Sequence, residues 1–334
     1  MFHKALWMQN YKQSKMIVWI LFVIFIIHLP FQAIVTIENW REAGSVFNNR
    51  VSDMYLLFTG GSLPLFGTIS IIVLAGLLIG IERNTRRNDF TFSLPFKRRD
   101  MFLAKWLFGA MAITLIHLLN FIVTYLMIQT TEFSYVLNDL TLTAILWSPL
   151  LGFLLLFSFA MFFGTIAGEM VSQVVLTLIF SIFPFGFIML LVFFTEVNFG
   201  TYLPRLPLEW ISNITLVTYV FTLESFNNSS TGDLITGAII GTVVFFVLGL
   251  LLYERNRVEH NGEFLVFKQL HPLFLIGIVI CFALFGGMIL SSLVPWGMSE
   301  FQVIFYWIGF VIFALFSFLI TRRLLRMNVT VKNK

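Results

Sequence analysis

Charged side chains are scarce in this sequence, so a place where they gather is a candidate for chemistry. They gather most densely in Glu82–Lys105, ERNTRRNDFTFSLPFKRRDMFLAK. The segment opens with mixed charges and passes through an apolar-polar stretch ending in Leu94-Pro95. It closes on the basic cluster Lys97-Arg98-Arg99 and on Lys105. The alternation suits a short amphipathic helix lying parallel to a membrane, which Pro95 would end or turn. The plainer reading, favoured on composition alone, is a basic loop beside phosphate headgroups.

Other residues of chemical interest are isolated. His28 and His117 are the ionisable side chains deepest within apolar runs. Polar groups in such places are costly and often functional. His117 lies one helical turn from Thr114 and Asn120, so His117 and Asn120 are candidates for a pathway lining. A histidine bonded to a neighbouring helix is the more ordinary use of the same residue. Glu169 is the best single acid for an enzyme, but no second carboxylate or nucleophile accompanies it, and one residue makes no mechanism. Cys281 is the single cysteine and sits in an apolar run. It leaves no disulfide framework and no cysteine-based metal site within one chain. HExxH, CxxC and GxxxxGK[ST] spacings are absent, and there is no Gly-Lys pair at all. No metal, cofactor or phosphate-cradling loop is expected.

The elements that must position these residues are membrane helices. Hydrophobic residues make up 58% of the chain and charged residues 11%, with 41 phenylalanines among 334 residues. Soluble domains carry about 25% charged residues. Half that share cannot cover a surface in water, so lipid is the solvent for much of the chain. Eight apolar runs reach the length of about 20 residues that a spanning helix needs. They are Met16–Ile37, Ser62–Ile81, Trp106–Ile128, Ala144–Ala167, Gln173–Thr195, Leu234–Tyr253, Leu273–Val294 and Gln302–Thr321, and none contains Asp, Glu, Lys or Arg. The fold class is therefore all-α and polytopic, with both termini cytoplasmic. The first run is too long for a signal peptide and is expected to stay as an anchor.

Orientation follows from lysine and arginine. With the N-terminus inside, only Arg41, Arg50 and Arg205 of the 21 basic residues fall outside. This asymmetry also accounts for the pI near 9.2 without any nucleic-acid partner. The organisation expected is a cytoplasmic segment over 1–15, for which an interfacial helix is one reading, then six spans over 16–253 carrying the loop 82–105. A cytoplasmic loop over 254–272, a further helix pair over 273–321 and a cytoplasmic tail over 322–334 complete it. Two readings stand for the apolar outside stretch Pro207–Phe226: short helices at or dipping into the outer leaflet, or a packed surface loop. The GxxxG spacings at Gly76–Gly80, Gly164–Gly168 and Gly237–Gly241 let helix backbones approach closely. Pro184 and Gly186 are expected to kink the fifth span.

The loop 82–105 resembles the coupling segment of type-2 ATP-binding-cassette (ABC) transporter permeases. The positions that carry the likeness are Glu82 after the second span, Thr91 or Phe90, Leu94-Pro95, Arg98-Arg99 and Lys105 at the next span. The family's Gly-Thr before the leucine is replaced by Asp89-Phe90-Thr91. Gly164–Gln173, GTIAGEMVSQ, is similar to the family's polar turn between the fourth and fifth spans. The loop Tyr253–Phe267, YERNRVEHNGEFLVF, resembles that of an eight-span bacillar subgroup, the Ytr acetoin-utilisation transporters, with Arg257 and Glu259 slightly off its spacing. The resemblance implies a permease subunit in the bacterial plasma membrane, surrounded by membrane lipid. It implies a partner permease, like or unlike, and separate ABC ATPase subunits that dock through Glu82, Leu94, Pro95, Arg98, Arg99 and Lys105. Such a subunit catalyses nothing itself and binds no cofactor, and export fits the family better than import. The alternative is an ion-coupled secondary transporter, against which the charge-free spans argue.

The layout is testable by labelling. A cysteine added after Lys334 should react with a membrane-impermeant maleimide only once cells are opened. One replacing Ser230 should react in intact cells. Reaction of the C-terminal cysteine in intact cells would reject the eight-span arrangement.

Overall fold

The computed structural model describes residues 4–43, 49–60, 63–84, 96–200, 208–221, 231–256, 262–295 and 297–324. Among these residues eight helices are long and apolar enough to cross a membrane: Lys4–Glu42, Arg50–Arg83, Arg98–Gln129, Thr143–Ile166, Met170–Phe199, Gly232–Glu254, Lys268–Ser292 and Ser299–Arg323. They are called the first to eighth spans below. A helix satisfies its own backbone polar groups, which is the condition for crossing hydrocarbon. Among the described residues the only extended pairing is an isolated bridge between Ala167 and Leu265.

Several helices run past the apolar stretches that predict them. The first begins at Lys4, so the described part of the N-terminal segment is helix continuous with the span. It passes Pro30 through a π turn, Ile27–Phe31. Proline has no N–H and crowds the preceding turn, and a wider turn absorbs both effects. The fifth span is helical throughout Met170–Phe199, including Pro184. The second and third spans extend into charged sequence and carry Glu82, Arg83 and Lys105 within helices.

The fourth span is the hub, with 72% of its most apolar window buried. Phe153 and Phe157 on it are fully buried together with Phe25 of the first span and Phe102 of the third. Small residues allow the closest approaches. A Cβ on Gly80 would come within 2.9 Å of Gln173 Oε1, and one on Gly164 within 2.6 Å of Gln173 Nε2. Gln173 is thus held in a notch between the second and fourth spans, donating to the Ala160 carbonyl at 3.0 Å. Gly237 and Gly241 likewise face Tyr219 and Leu155 of the same chain. In the outside stretch two short helices, Leu208–Ile214 and Leu216–Val220, bury Ile211, Leu216, Tyr219 and Val220. The Tyr219 carbonyl packs on Gly152 of the fourth span, so this stretch is packed helix.

The seventh and eighth spans form a hairpin whose main neighbour in the chain is the fifth span. Trp307 Nε1 donates to Asn198 Oδ1 at 2.9 Å across that contact. Within the hairpin a Cβ on Gly309 would lie 2.3 Å from the Gly286 carbonyl oxygen, so the two backbones touch. Gly309→Val should therefore force the pair apart and lower the melting temperature of the detergent-purified protein. Gly277→Val should not, because nothing lies within 4 Å of the Cβ it would add. Equal melting temperatures for the two variants would refute the close packing.

Candidate functional site

The charged residues singled out in the sequence meet at one end of the second, third and sixth spans. Lys105, two turns into the third span, reaches back to the second and donates to Glu82 Oε1 at 2.6 Å and to the Leu78 carbonyl at 2.5 Å. The side chains are only 4% and 2% exposed. Gln9 of the first helix donates to the same Glu82 oxygen at 3.3 Å, and Gln13 donates to the Leu77 carbonyl. The π turn Gly76–Gly80 immediately precedes Ile81, and its widened geometry bounds the segment whose carbonyls receive these donors.

Arg83 is 1% exposed beside this pair. Glu82 Oε2 and the Arg83 Nε and Nη1 atoms have no hydrogen-bond partner among the described residues. The fully buried Tyr253 of the sixth span lies within electrostatic range of Glu82, Arg83 and Arg98. One carboxylate therefore faces two buried cations.

Arg98 and Arg99 open the third span and both turn toward the sixth. Arg98 Nη1 donates to the carbonyls of Glu254 at 3.0 Å and Asn256 at 2.7 Å. These carbonyls lie at the end of the sixth helix, where intrahelical donors have run out and positive charge is favoured. Arg99 Nε pairs with the Glu254 carboxylate. Asn256, 4% exposed, donates from Nδ2 to the Thr165 carbonyl at 3.3 Å and so reaches the end of the fourth span.

Two further turns at the same end join this assembly by backbone bonds. Val266 N–H donates to the Ile166 carbonyl and Gly262 N–H to the Gly168 carbonyl, each at 2.9 Å. Gly262 has φ of 91°, a left-handed conformation that glycine adopts without strain. The turn between the fourth and fifth spans is thereby bonded to the loop that follows the sixth. Within that turn Ser172 donates to Glu169 Oε1 at 3.0 Å.

Of the residues predicted for coupling, Glu82, Arg98, Arg99 and Lys105 are brought together here. Leu94 and Pro95 lie outside the described residues, as do Phe90, Thr91, Arg257 and Glu259. The two pathway candidates sit elsewhere. His117 is fully buried against Phe25, Phe121 and Phe153, with ring centroids 5.7, 6.4 and 6.3 Å away. Asn120 donates to the Ile116 carbonyl of its own helix at 2.8 Å. His28 bonds the Leu57 carbonyl at 3.0 Å, the ordinary use of a histidine between helices. Among the described residues no group of His, Cys, Asp and Glu is arranged to hold a metal ion. The contributions of Gln9, Glu254 and Asn256 carry no local signal in the sequence, because each partner is 73 or more residues away.

Two curated proteins of Bacillus subtilis (strain 168) resemble this chain. One, described as the probable ABC transporter permease YtrD, is 30% identical over 221 residues, which is 64% of this chain and 66% of that protein. The other, described as the probable ABC transporter permease YtrC, is 22% identical over 279 residues, 81% of this chain and 83% of that protein. The first alignment thus spans just under two thirds of that relative's length. No family model matches the chain, and no solved structure matches it significantly.

The buried pair makes a prediction that does not depend on function. Removing one partner of a buried ion pair costs about 3–5 kcal/mol, whereas replacing both by apolar residues is often neutral. Glu82→Met and Lys105→Met should each destabilise the purified protein, and the double variant should recover most of the loss. A double-variant melting temperature equal to the sum of the two single losses would show that the pair is not coupled.

Proposed function

Since this chain belongs to the ABC transporter permeases of the Ytr group, we propose that it forms the translocation pathway of an exporter-type ABC transporter and is driven by separate ATPase chains. The residues 82–105 are the coupling segment. In this reading Leu94 and Pro95 dock on the ATPase, and Glu82 with Lys105 anchors the segment to the second and third spans. The observation that carries this reading is the buried Glu82–Lys105 pair at 2.6 Å, placed at the two roots of the segment. A loop that transmits force needs both ends held, and this pair holds them to each other.

Two permeases of one organism match this chain, which supports a pathway built between two permeases, alike or different. ATP hydrolysis belongs to the docking chains, since the sequence has no phosphate-binding loop of its own. The plasma membrane is the setting, with the basic loops on the cytoplasmic side. The ion-coupled alternative needs a carboxylate free to exchange protons at membrane depth. Glu82, the buried candidate, is ion-paired and next to a second cation.

Purification of the C-terminally tagged chain from native membranes in mild detergent should bring down an ABC ATPase. A second permease in the same preparation would define the pairing. A folded preparation free of any ATPase would favour the ion-coupled reading. In vesicles that keep their ATP, an uncoupler should leave transport intact.

A further inference from the structure

The geometry points to a second role within the coupling segment: Arg98 and Arg99 are positioning residues that bind the cytoplasmic end of the sixth span, so that this span moves with the root of the segment. The inference rests on the coupling role proposed above and refines it, because it assigns these two cations to the chain itself.

Arg98 bonds two carbonyls, those of Glu254 and Asn256. A guanidinium presents its donors in a fixed fork, and two acceptors hold it in one orientation. The adjacent Arg99 adds its carboxylate pair with Glu254, so both basic residues engage the same helix end. The contact continues into the membrane. Phe102, one turn further along the third span, lies 5.4 Å from the Tyr253 ring and 6.1 Å from the Phe246 ring. A Cβ on Gly249 would come within 2.8 Å of Phe102. Trp106 follows at 4.6 Å from Phe246. The third and sixth spans are therefore fastened by polar bonds at the membrane face and by aromatic packing just inside it.

The fastening extends to the fourth span through Asn256 and the Thr165 carbonyl. A displacement applied at Lys97–Arg99 has a bonded path to the sixth span and, through it, to the fourth. Surface ion pairs alone contribute little, and Arg99 is 57% exposed. Arg98, with its two backbone acceptors, is the stronger of the two links, and Arg99 orients it.

The test separates attachment of the ATPase from transmission to the sixth span. A Cys281→Ser background carries Thr236→Cys near the outer end of that span, and its reaction rate with an impermeant maleimide is measured with and without vanadate-trapped nucleotide. In the chain otherwise unaltered, trapping should change the rate at least threefold. With Arg98→Gln, the ATPase should still co-purify within twofold of the normal ratio and still hydrolyse ATP, while the trapping effect disappears. Arg99→Glu should reduce the effect, and Glu254→Arg in the same chain should restore it. This swap keeps the test decisive if Arg98→Gln fails to reach the membrane. Loss of the ATPase from Arg98→Gln would make Arg98 a docking residue and overturn the inference. A trapping effect that survives both variants, or one that the swap fails to restore, would also overturn it. If no ATPase accompanies the unaltered chain, the coupling reading itself fails and the inference falls with it.

Discussion

The charged end of this helix bundle depends on a single constraint: two opposite charges are kept out of water where the second helix ends and early in the third. Taking a carboxylate and an ammonium group out of water costs several kcal/mol each before their attraction is counted. The cost is tolerable here because Lys105 has two acceptors and Glu82 two donors. The bonds also fix where the second helix stops and the third begins. A widened turn, Gly76–Gly80, lies within reach, and its glycines let the fifth span come close enough to cover the site.

With that anchor in place, the other contacts follow from proximity. The third span enters beside the sixth, so the cations that open it meet carbonyls that need donors at the end of the sixth helix. The fourth and fifth spans are joined by a turn of three residues, 167–169, in which the Gly168 N–H and carbonyl need partners from outside the turn. The loop after the sixth span supplies them. Among the described residues, the turn between the fourth and fifth spans and the ends of the third and sixth are thus bonded to one another.

The sequence discloses the helices well and their partners poorly. Spans are legible because hydrocarbon demands about 20 apolar residues in a row, and each of the eight predicted runs lies within a structural helix or overruns its C-terminal end by no more than two residues. Their ends are less legible, since Lys4–Lys15 and Arg98–Lys105 are helical though polar: burial and bonding, not hydropathy, decide there. Glu82, Arg98, Arg99 and Lys105 stood out because charge is rare. Glu254 and Asn256 did not, because their significance arises only when the sixth span returns beside the third. His117 is the reverse case. Its rarity left two readings, a pathway lining or a bond to a neighbouring helix, and the structure places it among three phenylalanine rings.

The seventh and eighth spans, like the fifth and sixth, bury little of their apolar surface within the chain. Much of their surface is exposed and apolar, as in Ile276, Ile280, Ile304, Ile308, Val311 and Leu315, which is the surface lipid requires. They touch backbone to backbone, Gly309 against the Gly286 carbonyl. The hairpin joins the rest along the fifth span, and at one end the three helices leave a cavity of about 740 Å³ lined by Glu196, Glu300 and several serines. The first six spans hold the whole ion-pair and carbonyl network without it. A hairpin attached on one side leaves those bonds as they are, and it widens the protein on the side of the fifth span. Any second permease must therefore approach from another side or meet this hairpin first.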